Sequence, residues 1–403
     1  MKRLNVTVIF LLTIFILSFT TQAQENKQAE ENAPTLKITG ETAGVVQYLI
    51  QNNDKGTLAK IPWGFQNAVG NLIFNARIAS GINIYFAAFL SSSHHTGYWM
   101  DREGYIKISH LPKSIDVLGL NNTLFKYITF KAGQMEIDFG LWHLIRSDNA
   151  QVQKNPLIGN YIIDANTVEP AMELISKKGF FNWVIGFGNG TTTGDFQPGR
   201  GTEVHGKVWL NFDNKLNIAG SVYRVNQSNN GTGYPSGGTK SYLYAGNRSG
   251  SRYAGIFGAG PEVGQIAPAK GQNVTAYQFD GYYNVKPLKI FGMYGYTKDS
   301  DINGSAPGSP EEAWSYYGAD VTYYLTPALY VAARYNAAIS KKYHGKDADI
   351  NVNRIQLGGG LWITDYVLLK LEYVNQHYKG FSSGPYAYNA RFHGFLTEFS
   401  VFF

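Results

Sequence analysis

The chain has 403 residues, no cysteine, 16% charged residues and a formal net charge of +6. Soluble domains carry about 25% charged residues, and without thiols there is no disulfide framework, thiolate nucleophile or cysteine-ligated metal. An aromatic fraction of 15% excludes a disordered chain, and 45 glycines without a G-X-Y period exclude a collagen-like one.

Lys2 and Arg3 precede an apolar run from Val6 to Thr20, and Thr21-Gln22-Ala23 ends in a small residue. This is the form of a secretory signal peptide over 1–23, cut before Gln24; the run is shorter than the roughly 20 residues of a spanning helix. Loss of Lys2 and Arg3 leaves a charge of +4, and no lysine/arginine block follows, so no nucleic-acid partner is expected. Residues 24–35, with Glu25, Glu30, Glu31 and Pro34, read as a flexible periplasmic leader.

From residue 36 onward period two dominates. In 216–222, Leu216, Ile218, Gly220 and Val222 share one face, and Asn217, Ala219 and Ser221 the other. Ile355, Leu357, Leu361 and Ile363 repeat the pattern, as do Val367, Leu369, Leu371 and Tyr373 opposite Lys370 and Glu372. Glycines inside these runs mark bends and close strand approach. The predicted strands are 36–48, 71–79, 82–93, 104–110, 127–137, 168–176, 180–188, 202–212, 216–226, 275–285, 288–298, 314–325, 329–340, 354–364, 367–377 and 391–403.

Connections alternate between tight and long. Ser80-Gly81, Lys177-Lys178-Gly179, Asp213-Asn214-Lys215, Lys286-Pro287, Thr326-Pro327 and Thr364-Asp365 are tight. All fall on one side if the first strand runs up from the periplasm, and 111–124 is the one long connection there. The expected fold is therefore an all-β, transmembrane, antiparallel up-and-down β-barrel of about sixteen strands over 36–403, with short periplasmic turns and long outer loops. Closure leaves no sheet edge unpaired in lipid. Trp314, Tyr316, Tyr317, Tyr323, Tyr324, Trp362, Tyr366, Tyr373 and Tyr378 lie near strand ends, where amphipathic rings suit the lipid–water boundary. The alternative, a soluble propeller, needs a repeating blade motif, and none is found. In the last strand Phe395, Thr397, Phe399, Val401 and Phe403 share a face. The terminal aromatic, with Phe399 and Val401, resembles the signal read by the barrel-assembly machinery of bacterial outer membranes.

Lys131-Ala132-Gly133-Gln134-Met135-Glu136-Ile137-Asp138-Phe139-Gly140 carries a Gly-Gln pair followed by Phe-Gly at a strand end. It resembles the signature of the phosphate-selective porin O/P-like family. That resemblance implies a sixteen-stranded outer-membrane porin barrel, often a homotrimer; the phosphate substrate is not carried over.

Strand parity turns Lys37, Arg77, Lys107, Lys131, Lys207, Arg334, Arg354 and Lys370 into the lumen, together with Glu41, Glu169, Glu173, Asp280, Asp320, Glu372 and Glu398. A charge on the lipid face costs about 2–4 kcal/mol at mid-depth, so inward facing is expected. The near balance of signs predicts a weakly selective pore lining. The segment 138–166, with Asp138, Trp142, His143, Arg146, Asp148 and Lys154, is long for a hairpin connection and is the candidate constriction loop, Arg146 and Lys154 facing acids across the channel. The segment 227–274 has 11 glycines in 48 residues and carries Tyr234, Tyr242, Tyr244 and Tyr253. Its expected roles are covering the mouth, binding a sugar or pairing with lipopolysaccharide.

No HExxH zinc motif and no P-loop occurs, and His94-His95 lies among serines without an adjacent carboxylate. The sequence thus points to passive diffusion of small hydrophilic solutes or ions, with no cofactor or metal and outer-membrane lipid as surroundings. The alternatives are a receptor barrel plugged by its own loops and an outer-membrane barrel hydrolase.

Overall fold

The computed structural model describes residues 34–56, 58–66, 68–91, 100–147, 151–165, 168–176, 179–190, 202–226, 243–244, 253–258, 264–266, 268, 273–300, 311–343 and 346–403. The predicted signal peptide, most of the predicted leader, His94-His95, Asp148, Tyr234 and Tyr242 lie outside the described residues. The strands are β1 (Thr35–Asn52), the two-residue bridge β2 (Gly64–Phe65), β3 (Val69–Ala79), β4 (Ile82–Ser91), β5 (Met100–Ile108), β6 (Ile128–Glu136), β7 (Val168–Ser176), β8 (Phe181–Gly188), β9 (Glu203–Phe212) and β10 (Leu216–Asn226). They continue as β11 (Asn273–Val285), β12 (Leu288–Ser300), β13 (Glu312–Tyr324), β14 (Leu329–Tyr343), β15 (Lys346–Thr364), β16 (Val367–Lys379) and β17 (Arg391–Phe402). Setting β2 aside, sixteen strands pair antiparallel in chain order, and β1 closes on β17 from Glu41↔Phe402 to Asn52↔Arg391. No described helix is long and apolar enough to cross a membrane.

The alternation in sequence becomes two walls. In β10, Ala219, Ser221 and Tyr223 are buried inward while Ile218 and Val222 are exposed outward. In β17, Phe392, Leu396 and Glu398 are buried while Phe395 and Phe399 are exposed. Phe279, Tyr294, Val321, Val331, Leu357 and Leu371 continue this outer apolar band around the barrel. Such a surface suits hydrocarbon rather than water, and closure leaves no strand at an open sheet edge.

The tight connections share one end. Asp213 and Asn214 both have positive φ, 52° and 59°, the mirror-image turn whose twist matches a two-residue hairpin. The long connection at that end holds helix α1 (Leu120–Thr123) and is stapled by Asn121, which accepts from the Leu111 N–H at 2.6 Å and donates to the Leu111 carbonyl at 2.8 Å. The C-terminus seals the seam: the Gly40 N–H donates to the Phe403 carbonyl at 3.1 Å and the Phe403 N–H to the Gly40 carbonyl at 2.9 Å. A Cβ on Gly40 would stand 2.7 Å from the Phe403 ring, so the ring fits over a glycine alone.

Two sequence expectations need correction. β15 begins at Lys346 rather than 354. Over 346–353 the inward alternation persists through buried Ile350 and Val352, but the outward side chains are polar, because this stretch stands beyond the apolar band. Trp314, Tyr316 and Tyr378 are buried in the lumen, not set at a lipid boundary, while Tyr317, Tyr323 and Tyr366 do face outward. Strand parity, not nearness to a strand end, decides which wall a ring joins.

Candidate functional site: a half-filled lumen

The chain leaves the wall at Glu136, the end of β6, and rejoins it at Val168, the start of β7. Gly133 has φ +139°, and a Cβ there would stand 2.4 Å from the Gly104 carbonyl oxygen and 2.7 Å from Tyr105 Cα. The Gly-Gln motif therefore starts where β5 and β6 approach too closely for any side chain. Gly140, at φ +72°, turns the segment into the barrel: its N–H donates to Ser221 Oγ at 2.9 Å, and the Leu141 N–H donates to Asp280 Oδ2 at 3.1 Å. Lys207 pairs with Asp138 and donates to the Gly140 carbonyl at 3.1 Å. Burial alone would raise the Asp138 pKa, but Lys207, with help from His143, brings it down to about 2.

Past Gly140 the segment crosses the lumen and binds the far wall. Trp142 stands edge-on to Tyr161, ring centroids 4.2 Å apart. The Arg334 guanidinium lies 5.0 Å from the Trp142 ring and 4.7 Å from that of Tyr161. It also pairs with Asp320 and donates to Asn155 Oδ1 at 2.9 Å. Glu372 accepts from the N–H groups of Ile158 at 2.6 Å and Gly159 at 3.1 Å, and from the Tyr253 hydroxyl at 2.6 Å. Lys370 donates to the carbonyls of Val152 at 2.6 Å and Leu157 at 3.1 Å and pairs with Glu398 at 2.9 Å. Gln153 reaches Glu41 on β1.

Part of the second long segment lies on the first. Gln47 donates to the Ala254 carbonyl at 2.8 Å, and the Ile266 N–H donates to the Ile162 carbonyl at 2.7 Å. Arg354 holds both segments at once, donating to the carbonyls of Asn160 and Gly264. Phe257 packs edge-on to Tyr378, Tyr386 and Phe392. The apolar side chains of the two segments form one core inside the barrel, mainly against β9 to β17 and β1, with Met135 of β6 and Ala171 of β7 at its margin.

The other half of the lumen is open. A cavity of about 280 Å³ is lined by Asn71, Tyr85, Glu103, Tyr105 and Lys131 of the wall and by Glu136, Asp138, His143, Gln151 and Lys154 of the inturned segment. A second, of about 820 Å³, is lined by Asn75, Asn83, Tyr85, Tyr105, Lys107, Ser109, Thr129 and Ser176. The two share Tyr85 and Tyr105, stacked with centroids 4.8 Å apart. The Lys131 ammonium lies 4.6 Å from the Tyr105 ring and 3.4 Å from Glu173.

The sequence-derived residues thus divide. Lys107, Lys131, Asp138, His143 and Lys154 line the open side. Arg77 shares that wall, opposite Asn83 in register, and Lys37 lies opposite Asn75. Asp280, Asp320, Arg334, Arg354, Lys370 and Glu372 point inward but are covered by the segments they hold, and Lys207 likewise anchors Asp138. Trp142 and Arg146 are buried in the plug rather than turned to the channel; Arg146 pairs with Glu136 and with Asp164 at 3.1 Å, the ties that close the segment on itself. Glu169 accepts from the Tyr223 hydroxyl at 2.9 Å and the Gly190 N–H at 2.8 Å. Glu173 and Glu203 flank His205 at 3.1 and 3.0 Å, and no group of described His, Asp or Glu residues is arranged to hold a metal.

Glu103 and Glu136 were missed by the strand pattern. Glu103 precedes the predicted start of its strand, and parity would turn Glu136 outward, whereas at the last position of β6 it pairs with Arg146 and lines the first cavity. The described charges lining the two cavities are Lys107, Lys131 and Lys154 against Glu103, Glu136 and Asp138, and Lys37 and Arg77 add to the basic side of the same wall.

No protein-family model matches the chain, and no curated protein matches it in sequence. Solved structures match its fold. An anion-selective porin from Comamonas acidovorans aligns with TM-score 0.59 and 11% identity over 92% of this chain and 100% of its own. Salmonella typhi OmpF in complex with daunomycin gives 0.55 and 10% over 93% and 98%. The trimer form of in-vitro folded OmpT, an outer membrane protein of Vibrio cholerae, gives 0.53 and 12% over 92% and 99%. The chain has the barrel fold of the outer-membrane porins.

Proposed function

We propose that this chain is an outer-membrane porin through which small hydrophilic solutes and ions diffuse passively, without catalysis or cofactor. The observation that carries this reading is the pair of adjoining cavities along β3 to β7, lined by charged, amide, hydroxyl and tyrosine side chains and left open beside a tightly anchored inturned segment. The inturned segment narrows the channel, and the wall residues Asn71, Glu103, Tyr105 and Lys131 face it across the gap. Opposed charges keep such a neck wet and align polar solutes, and three of each sign at the cavities, with Lys37 and Arg77 added on the same wall, favour weak selectivity with at most a mild anion preference. On this reading the long-loop end faces outward and the tight turns face the periplasm. Residues 1–23 are removed on export, the barrel-assembly machinery reads Phe399, Val401 and Phe403, and the working form is a homotrimer, as in the trimer form of Vibrio cholerae OmpT. The Gly133-Gln134 to Phe139-Gly140 motif supports membership of the phosphate-selective porin O/P-like family; the charge balance does not support phosphate selectivity.

The experiment is single-channel recording of the purified chain in planar bilayers, with liposome swelling for uncharged sugars. Discrete conductance steps and swelling with small but not large sugars support the reading. The apolar core filling the far half of the lumen favours a second one, a receptor barrel sealed by its own loops, which predicts folded protein without conductance.

A further inference from the structure

We propose that the outer face of β15, β16, β17 and β1, just beyond the apolar band at the long-loop end, holds the phosphorylated headgroup of an anionic lipid of the surrounding leaflet. This rests on reading the barrel as spanning a membrane with its long loops outside.

Strand register builds the site. Tyr48, Phe395, Tyr373 and Leu357 form one outward row across β1, β17, β16 and β15, with Tyr48 and Phe395 more than half exposed. Rings in such a row mark the boundary between hydrocarbon and headgroups. The next outward row toward the long loops is Ile50, His393, Asn375 and Ile355. The one beyond it is Asn52, Arg391, His377 and Asn353. Lys379 follows, opposite Asn351. The inward neighbours Gln376, Tyr378, Phe392 and Gly394 are buried, so the basic side chains share the outer face. At about 3.3 Å per residue on tilted strands, the Arg391 row stands about 10 Å beyond the aromatic row. With a polar layer of roughly 5–7 Å on each side of the hydrocarbon, the His393 row, about 5 Å out, lies within that layer, and the Arg391 row stands just beyond it, within reach of its long side chains.

The chemistry of these rows is one-sided. Two imidazoles, a guanidinium and an ammonium stand among asparagine amides, and the rows themselves contain no carboxylate. The nearest acids are engaged elsewhere: Asp349, further along β15, pairs with Lys341, and Asp54 accepts from Asn389 at 2.6 Å. His377 and Arg391 lie directly opposite each other. Protonation of His377 beside Arg391 is disfavoured, and an anion lying over the pair offsets that cost. Arg391, whose Nε donates to Asn52 Oδ1, presents its two terminal nitrogens to phosphate oxygens, Lys379 adds a point charge, and the asparagine amides neutral donors. A phosphorylated lipid brings that anion at the right depth, with acyl chains that continue onto Tyr48, Phe395 and Tyr373.

The test uses full-length folded protein in neutral detergent and measures binding of diphosphorylated lipid A, its dephosphorylated form and inorganic phosphate. The site predicts that Arg391→Gln with Lys379→Gln weakens diphosphorylated lipid A at least tenfold, and that adding His377→Gln and His393→Gln weakens it further. The dephosphorylated lipid should bind the wild type as weakly as the diphosphorylated lipid binds the variants, and millimolar inorganic phosphate should not displace the lipid. Heat-modifiable gel mobility confirms folding, and Lys107→Gln, inside the lumen, should leave lipid binding unchanged. Equal lipid affinity in wild type and variants overturns the proposal, as does equal binding of the dephosphorylated form. Displacement by inorganic phosphate would make this a site for the free ion, and a change in oligomer size without a change in lipid binding would make it a contact between copies; either result overturns the lipid assignment. Single-channel conductance separates the two readings: a conducting protein with patch-independent lipid binding loses only this site, whereas a silent protein with patch-dependent binding loses only the pore.

Discussion

The two halves of the lumen are built from similar residues and do opposite things. Against β9 to β17 and β1, charged side chains such as Arg334, Arg354, Lys370 and Glu372 are buried and spend their hydrogen bonds on loop backbone. Against β3 to β7, Lys107 and Lys131 stand beside cavities totalling several hundred Å³ or more, with ring edges and amides around them. An inward charge is therefore not a pore-lining charge by virtue of its strand parity. What separates the cases is whether an inturned segment presents carbonyls and N–H groups to it.

The largest effect should come from breaking an anchor on the packed side. Arg334→Ala leaves Asp320 buried without its partner and removes the cation lying against Trp142 and Tyr161. The cost should be about 3–5 kcal/mol, read as a drop in the temperature at which the folded gel band is lost. Lys107→Ala, on the open side, should stay within about 0.5 kcal/mol.

Removing the narrowing should come next. Deleting 144–154 takes away Lys154, Gln151 and the ties made by Arg146, and should raise single-channel conductance about twofold or more and admit larger sugars. Deleting 235–265 should change both much less, because no described residue of that stretch lines either cavity. The reverse outcome would place the constriction on the second segment.

Charge reversal in the neck is a smaller test. Lys131→Glu should shift the reversal potential in a salt gradient toward cation preference, and Glu103→Lys toward anions. Lys370→Glu should instead impair folding, since its charge meets loop carbonyls and Glu398 rather than solute. A reversal-potential shift from Lys370→Glu in a fully folded protein would erase the distinction between the two halves.

The smallest effect concerns acid. Asp138 titrates at about 2 because of Lys207, below the ordinary aspartate value near 4. Its contribution is complete above that ordinary value and fades as pH falls toward 2. Conductance noise from a loosening segment should therefore stay flat down to about pH 4 and rise below it, and Asp138→Asn should show the added noise at neutral pH.

Much of the barrel was legible in the sequence because one physical rule, lipid outside and polar inside, writes itself into every strand with period two. The strands around 168–176, 216–226 and 367–377 emerge nearly residue for residue. The rule fails where lipid stops: 346–353 lacks the outer apolar row, and Glu136 departs from strand parity as the chain turns inward. The candidate site was less legible, because no local pattern tells a charge that meets solute from one that meets a distant loop. Trp142 and Arg146 looked like channel groups by composition, yet their partners are Tyr161, Phe291 and Asp164, set by how the segment folds back. The terminal signal remains a separate test: Phe403→Ser should lower the amount of folded barrel in membranes, since it removes the ring packed over Gly40.

The central claim is that water and solute pass along β3 to β7 and not through the rest of the lumen. The chain has no cysteine, so single cysteines can be placed without background and treated with a charged, membrane-impermeant methanethiosulfonate during single-channel recording. Asn75→Cys, Tyr85→Cys and Lys107→Cys should be modified quickly and lose conductance, while Asn336→Cys, Gln356→Cys and Gln376→Cys should stay unmodified in the folded pore. Rapid modification and block at the second set, with none at the first, would contradict the account.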